Sequence, residues 1–308
     1  MTADHRRPKI TAAPTEAGLI QARPRVIAVA CVVVLAGSGW LYLALMVAGA
    51  ARNGAAGGLG VGMGIFDKLI SATGLSGALI DTLCRPMFAT AESGGVQVAD
   101  LALVLLMWCA MALAMMLPTA GPMFFTYADI AETASRKGDR VVPPVVLAAG
   151  YVSIWIAFAV GAMLLQWGLT RAALLDPALK PASGLFSGAV FLLAGAYQFS
   201  ALKRACVTMC QRPFPFFLAN WSEKPAAVFR LGLRQGLYCL GCCWAMMLVM
   251  FAVGVMNVVW MAGIGVVMTI EKVATTTRAS RIVGAALIAI GLVFLGSSVL
   301  AHWPPRSG

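Results

Sequence analysis

Long apolar stretches alternate along the chain with shorter segments that hold its charged residues. Asp, Glu, Lys and Arg are absent from residues 26–51, 101–128, 141–170, 181–202, 235–270 and 282–305. A helix needs about 20 apolar residues to cross the hydrocarbon core of a bilayer. Five of the six stretches therefore fit one membrane-spanning helix each.

The stretch 235–270 is too long for a single crossing. One helix over these residues would reach about 54 Å at about 1.5 Å per residue, well beyond a hydrocarbon core of roughly 30 Å. Gly254 and Asn257 lie inside the stretch and can supply a tight turn. We therefore predict a helical hairpin here and about seven spans in all, near residues 26–48, 98–117, 142–169, 184–203, 232–253, 256–271 and 281–301.

The composition points to the same class of protein. Hydrophobic residues make up 60% of the 308 residues and charged residues 11%, whereas soluble proteins are roughly 25% charged. A water-soluble fold of this size could not bury so much apolar surface, which argues against a soluble enzyme, a nucleic-acid-binding domain or a disordered chain. We predict an all-α protein, a polytopic transmembrane helical bundle.

The positions of the basic residues predict the orientation. With the N-terminus in the cytoplasm, the cytoplasmic segments hold 17 Lys and Arg residues and the outside segments hold six. This split agrees with the positive-inside rule. The net charge of +11 then reflects topology and attraction to anionic lipid, so the bilayer and not nucleic acid is the predicted partner. We expect a multi-pass protein of the bacterial inner (plasma) membrane.

The predicted organisation is one transmembrane helical domain, residues 26–301, with polar tails. Residues 1–25 are polar, carry five basic side chains near Pro8, Pro14 and Pro24, and predict a disordered cytoplasmic tail. The remaining segments are a glycine-rich extracytoplasmic loop at 52–97, a cytoplasmic loop at 203–231 and a short tail at 302–308.

Five of the eight cysteines lie in two dense motifs that flank the predicted cytoplasmic loop. The first motif contains Cys206 and Cys210, and the second contains Cys239, Cys242 and Cys243. A short loop places the helix ends that it joins side by side. We therefore expect five thiols to meet at the inner face of the membrane.

Helical spacing sharpens this expectation. At about 100° per residue, the second motif shares one helix face with Met246 and Met250, and the two cysteines of the first motif are i,i+4 neighbours. Thiolate and thioether ligands select soft ions such as Cu(I), Zn(II) or iron–sulfur clusters. The chain has only two histidines, which argues against a His-rich zinc or dicopper site. The pattern favours Cu(I) over Zn(II).

Two other interpretations stay open for the same residues. Methionine often fills gaps between apolar helices, and cysteine is small enough to let helices approach closely. The motifs would then serve packing alone, in a structural subunit of a larger membrane complex. Alternatively, the Cys206/Cys210 pair and the vicinal Cys242 and Cys243 fit a membrane thiol–disulfide oxidoreductase. The chain has no Walker loop, GxGxxG turn, GxSxG elbow or HExxH motif, so no catalytic residue is predicted.

Motifs between residues 101 and 272 are similar to those of a known family. They comprise Trp108, 114–118, 195–198, Lys203, Cys206, 210–213, Trp221, 238–244, 254–257, Glu271 and Lys272. Together they resemble a bacterial family of predicted metal-binding integral membrane proteins, described by a domain of unknown function. The resemblance implies a multipass topology and a bound metal, and it identifies no reaction. It implies as ligands Cys206, Cys210, Cys239, Cys242 and Cys243, followed more weakly by Met115, Met116 and Glu271.

The sequence thus predicts an integral membrane protein that binds a soft metal ion through its cysteine cluster, for metal handling or delivery. The predicted partners are the lipid bilayer and another membrane protein that receives the metal. Met246 and Met250 join the weaker ligands. Glu271 and Lys272, at the end of the sixth predicted span, are also typical of a plain anchor pair at the membrane surface.

Overall fold

The computed structural model describes residues 24–52, 60, 62–65, 68, 98–176, 179–274 and 278–302. This part of the chain is helical apart from turns and one isolated bridge between Leu175 and Pro181, which confirms the all-α class there. Its helices are α1 (Pro24–Arg52), α2 (Val98–Thr119), α3 (Gly121–Arg136), α4 (Pro144–Arg171), α5 (Gly184–Gln198), α6 (Ala201–Gln211), α7 (Pro213–Ala219), α8 (Pro225–Leu248), α9 (Met250–Val253), α10 (Val258–Val273) and α11 (Arg278–His302). The predicted tails 1–25 and 302–308 and the loop 52–97 lie almost wholly outside the described residues.

Five helical segments are long and apolar enough to cross a membrane. They are Arg25–Ala50, Asp100–Thr119, Pro144–Arg171, Pro225–Val253 and Arg278–Leu300. α5 and α6 make a sixth if taken together, although they are bent by 63°. The sixth predicted span, 256–271, corresponds to α10, whose 16 residues reach about 24 Å, short of the roughly 30 Å of hydrocarbon. The structure therefore supports five or six spans where we predicted about seven, and the cytoplasmic N-terminus stays a prediction.

The long apolar stretch 235–270 is divided where the sequence predicted. α8 ends at Leu248, a single turn of helix follows, and Gly254 adopts a φ of 104°. This backbone conformation suits glycine because it has no Cβ. Asn257 then caps α10, since its side-chain oxygen accepts a hydrogen bond from the Trp260 backbone N–H at 3.2 Å. The turn sends α10 back along the bundle beside α8.

The segment 203–231, predicted as a cytoplasmic loop, is helical over most of its length. It contains most of α6, all of α7 and the start of α8. Ser200 starts α6 after the bend, because its hydroxyl accepts a hydrogen bond from the Lys203 backbone N–H at 3.1 Å. α6 then packs against α8, which brings the two cysteine motifs side by side. The side of the membrane on which this segment lies stays a prediction.

α4 and α8 cross backbone to backbone because glycines face each other. A Cβ on Gly150 would overlap the carbonyl oxygen of Phe229, and a Cβ on Gly232 would overlap that of Leu147. Small residues permit this approach between membrane helices. The crossing holds Tyr151, the residue after Gly150, against the inner face of α8.

Candidate metal centre

One face of α8 brings three sulfur atoms together inside the bundle. The Sγ atoms of Cys239, Cys242 and Cys243 all lie within 4.8 Å of one another, and those of Cys242 and Cys243 are 3.3 Å apart. All three side chains are at most 3% exposed. Residues at i, i+3 and i+4 share one helix face, so a single helix supplies the whole group. We call these three residues the thiol trio.

The two cysteines of α6 take different positions. Cys210 is half-buried and its Sγ lies 4.0 Å from Cys242 Sγ, next to the thiol trio. Cys206 is buried and packs against the backbone of α8 at Gly241, where an added Cβ would lie 2.6 Å from its Sγ. The structure therefore brings Cys210 to the sulfur group, whereas the contact that places Cys206 is with a glycine.

These separations suit a shared metal ion. A thiolate sulfur binds zinc at about 2.3 Å, so two sulfurs on one ion of that size are at most about 4.6 Å apart. The thiol trio meets this limit with adjustments of a few tenths of an ångström. Buried thiols are soft ligands and suit a soft ion better than a strongly hydrated one.

Lys272 of α10 adds a buried positive charge to the trio. It is 7% exposed, and its Nζ donates hydrogen bonds to Cys239 Sγ at 3.0 Å and to Thr119 Oγ1 at 2.6 Å. The Tyr151 hydroxyl lies 3.0 Å from the same sulfur. A buried ammonium is unfavourable unless it is paired and hydrogen-bonded. Cys239 can supply a negative charge once its thiol is deprotonated, and the thiolate is the form of cysteine that binds metals.

Glu271, the neighbour of Lys272, faces a different partner. Its Oε2 forms an ion pair with Lys203 Nζ at 2.8 Å, and the two side chains are 3% and 1% exposed. Its backbone carbonyl also accepts a hydrogen bond from Gln211 Nε2 at 2.9 Å. Both contacts tie α6 to α10. The carboxylate that the sequence offered as a weaker metal ligand is thus engaged in an ion pair.

All four methionines that were predicted as weaker metal ligands are at most 3% exposed. They are Met115, Met116, Met246 and Met250. Met246 Sδ accepts a hydrogen bond from Gln198 Nε2 at 3.1 Å. Met116 reaches the site through its backbone, since its carbonyl oxygen accepts a hydrogen bond from the Thr119 hydroxyl at 2.9 Å and lies 3.2 Å from the Tyr151 hydroxyl. The structure gives these methionines places in the core, and their role as ligands stays a prediction.

Sequence reasoning missed the roles of Lys272 and Tyr151, which contact Cys239, and of Thr119, which contacts Lys272. Lys272 was interpreted as an anchor at the membrane surface, and its burial beside Cys239 shows that this interpretation was wrong. Tyr151 and Thr119 carried no signal of their own, because each is a common residue on an apolar helix. The charged pair Glu271 and Lys272 at the end of an apolar run was the available signal, since a charge held inside a bundle is expensive and often functional.

A comparison with known families places this site in context. The sequence model of a family named PpoB2 and described as a copper chaperone matches residues 105–294, more than half of the chain. The chain belongs to the PpoB2 copper chaperone family. The matched region contains the thiol trio, both cysteines of α6 and Lys272. The searches of curated proteins and of solved structures found no match.

Membership of the PpoB2 family and the buried thiol trio together support copper handling. They also agree with the metal-binding character implied by the resemblance to predicted metal-binding integral membrane proteins. Five helical segments are long and apolar enough to cross a membrane, which is compatible with copper handling by a membrane protein.

Proposed function

We propose that this chain is a membrane-embedded copper chaperone that binds Cu(I) through Cys239, Cys242 and Cys243. The observation that carries the proposal is the burial of three thiols within 4.8 Å of one another on one face of α8. The name of the family supplies copper as the cargo. The ion is held until a membrane-bound recipient removes it.

The donor set favours Cu(I) over Zn(II). Structural zinc sites take four tetrahedral ligands, and the trio supplies three, with Cys210 as the nearest further thiol at 4.0 Å from Cys242. Soft thiolates select Cu(I), which does not need a fourth ligand here. Burial also keeps water away from the ion, which protects the reduced state during transfer.

Cys210 is the entry thiol at the edge of the centre and is not a ligand of the stored ion. It is half-buried, whereas the trio is buried, so it is the thiol that an incoming or departing ion meets first. Cys206 acts in this scheme by packing α6 onto α8 at Gly241. The ion pair between Lys203 and Glu271 joins the same helix to α10.

The centre belongs near the cytoplasmic end of the bundle in this proposal. The support is the positive-inside rule, which assigns the basic segments around α6 and after α10 to the cytoplasm. Cys210 and Lys272 both lie in the last turns of their helices. A site at the cytoplasmic end can bind copper from the cytoplasm, where thiols keep copper in the reduced state.

Metal analysis tests the proposal directly. The protein is produced with added copper, purified in detergent under reducing conditions and analysed for metal per chain. We expect about one copper ion per chain in the wild type and nearly none in the double variant Cys242→Ser/Cys243→Ser. The matched control is Cys109→Ser, because Cys109 is a half-buried free cysteine of α2 outside the trio. Equal copper in the wild type and the double variant would overturn the proposal.

A redox role is the second possibility, supported by the 3.3 Å separation of Cys242 Sγ and Cys243 Sγ. Thiol–disulfide exchange requires access for the attacking sulfur, and these two side chains are buried, which disfavours it. Alkylation of the protein after reducing and oxidising treatments distinguishes the two. A redox enzyme loses two labels reversibly without metal, whereas the chaperone retains all its thiols until copper is added.

A further inference from the structure

A cavity of about 190 Å³ lies beside the thiol trio. Of the trio, Cys239 lines the cavity, and Cys210 lines it as well. A single buried water needs only about 10–15 Å³ on a comparable scale, so the space accepts a small molecule. Among its lining residues, Cys210 and Gln211 are half-buried, whereas Cys239 and Tyr151 are buried. The cavity therefore connects a thiol at the edge of the centre with a thiol inside it.

The lining of the cavity carries one positive charge and no carboxylate. The cation is Lys272, and the polar residues around it are Thr119, Tyr151, Gln211 and Gln235. An ammonium has three N–H donors, and the hydrogen bonds to Thr119 and Cys239 use two of them. The third is available to a ligand. Charge complementarity therefore favours an anion in this space.

Gln235 supplies a second feature that points to a ligand. Its side chain is 2% exposed, and its Nε2 has no hydrogen-bond partner although it is buried. A buried donor without an acceptor is unfavourable, and such groups are rare in folded proteins. A ligand with an acceptor oxygen in the cavity would satisfy this donor. Gln235 lies one turn before Cys239 on α8, so the same ligand reaches the sulfur.

We propose that this cavity binds a small thiol that carries a carboxylate and brings Cu(I) to the centre as its thiolate complex. The inference rests on the proposed function, since it names the class of molecule from which the chaperone takes its cargo. The carboxylate is held by Lys272 and Gln235. The ligand sulfur then lies between Cys210 and Cys239.

The transfer is a ligand exchange without oxidation or reduction. The bond between copper and the sulfur of the small thiol breaks, and a bond between copper and a cysteine sulfur forms. The proton of the cysteine thiol passes to the departing thiolate, so the small thiol leaves in its neutral form. Copper stays Cu(I) throughout. In a second exchange the bond between copper and Cys210 breaks as a bond to Cys239 forms, and the proton of the Cys239 thiol returns to Cys210. The ion thus moves from the edge of the centre to the trio.

Two probes of similar size test the proposal. They are the Cu(I) complexes of 3-mercaptopropionate, which carries a carboxylate, and of 3-mercapto-1-propanol, which does not. The rate at which each complex loads the purified wild-type protein is measured by stopped flow with a chromogenic Cu(I) chelator. We expect loading to be about tenfold faster from the carboxylate complex, because charge-assisted hydrogen bonds hold it.

The variant Gln235→Glu sharpens the test by placing a negative charge in the cavity. We expect it to abolish the preference for the carboxylate complex, so that the two complexes load at similar rates. Gln166→Glu is the matched control: Gln166 is a buried amide of α4 whose Oε1 accepts from Trp108 Nε1 at 2.7 Å, and a carboxylate can accept there too. It should behave as the wild type. The comparison of the two probes on the wild type needs no variant to fold.

The outcomes separate this inference from the proposed function. Equal rates from the two probes, or a preference that Gln235→Glu leaves intact, would overturn the inference while the chaperone function stands. Loading from a copper-bearing protein but from neither small complex would have the same consequence. A wild-type protein that binds no Cu(I) from any donor would overturn the proposed function and the inference together.

Discussion

Lys203 and Lys272 are two buried ammonium groups on neighbouring elements of the same bundle, and they differ in their partners. Lys203 faces the carboxylate of Glu271 at 2.8 Å, which neutralises it within the protein. Lys272 faces the sulfur of Cys239 and the hydroxyl of Thr119, and its counter-charge is a proposed copper ligand. Although Glu271 and Lys272 are adjacent in sequence, one belongs to a contact between helices and the other to the metal centre.

The comparison separates stability from function. An ion pair that holds its own counter-charge affects how firmly α6 and α10 are joined, and removing one partner leaves a bare buried charge. A cation whose partner is a metal ligand affects the affinity of the site, because groups that contact ligands tune the metal. Substitutions at the two lysines should therefore change different measured quantities.

The largest effect is expected on stability, when one partner of the ion pair between Lys203 and Glu271 is removed. Glu271→Met leaves Lys203 buried without its counter-charge and should lower the free energy of unfolding by about 3–5 kcal/mol. Thermal unfolding in detergent, followed by circular dichroism, measures the loss. The double variant Lys203→Met/Glu271→Met should recover most of it, because no charge is left unpaired. A double variant no more stable than the single one would contradict the account of this pair.

The next largest effect is expected at Lys272, and it is an effect on the affinity for Cu(I). Lys272→Met removes the charge beside Cys239 and should weaken Cu(I) binding by about 10–100-fold, the usual range for groups that support a metal ligand. Competition with a chromogenic chelator measures the affinity. Lys224→Met, at an exposed lysine, is the control and should bind as the wild type. Unchanged affinity in Lys272→Met would show that this cation does not act on the centre.

A smaller effect is expected at Tyr151, whose hydroxyl contacts the same Cys239 sulfur as Lys272. Tyr151→Phe removes the contact with Cys239 at 3.0 Å and should weaken Cu(I) binding by about two- to tenfold, as for the loss of one hydrogen bond of about 0.5–1.5 kcal/mol. Tyr127→Phe is the matched control, because the Tyr127 hydroxyl donates to the Val142 carbonyl at 2.9 Å. An equal loss of Cu(I) affinity in both variants would contradict the proposed role of the Tyr151 hydroxyl.

The smallest effect is expected from the two cysteines of α6. Cys210→Ser should slow copper loading while leaving the bound copper per chain near that of the wild type, since the trio is intact. Cys206→Ser should change neither the loading rate nor the copper content, because Cys206 packs against Gly241. Stopped-flow loading and metal analysis measure both. A larger loss of copper in Cys206→Ser than in Cys210→Ser would reverse the assignment of the two thiols.

The sequence predicted the parts of the site that depend on local spacing. Cys239, Cys242 and Cys243 share a face because i, i+3 and i+4 positions always do on a helix. The turn at Gly254 and Asn257 followed from the excessive length of one apolar stretch and from residues suited to a turn. These features need no knowledge of neighbouring helices.

The features that depend on tertiary packing were not predictable in the same way. The apolar stretch 181–202 has no break in hydrophobicity, and the 63° bend between α5 and α6 is marked only by the capping residue Ser200. The burial of Lys272 depends on the end of α2, on α4 and on α8 meeting around it. The different roles of Cys206 and Cys210 depend on how α6 packs against α8, which the i,i+4 spacing does not determine.

X-ray absorption at the copper edge of the copper-loaded protein tests the central claim most directly. The account predicts reduced copper with two or three sulfur neighbours and no nitrogen or oxygen ligand, and the loss of this signal in Cys242→Ser/Cys243→Ser. Copper bound to nitrogen or oxygen, or a sulfur-coordinated signal that survives in the double variant, would contradict it.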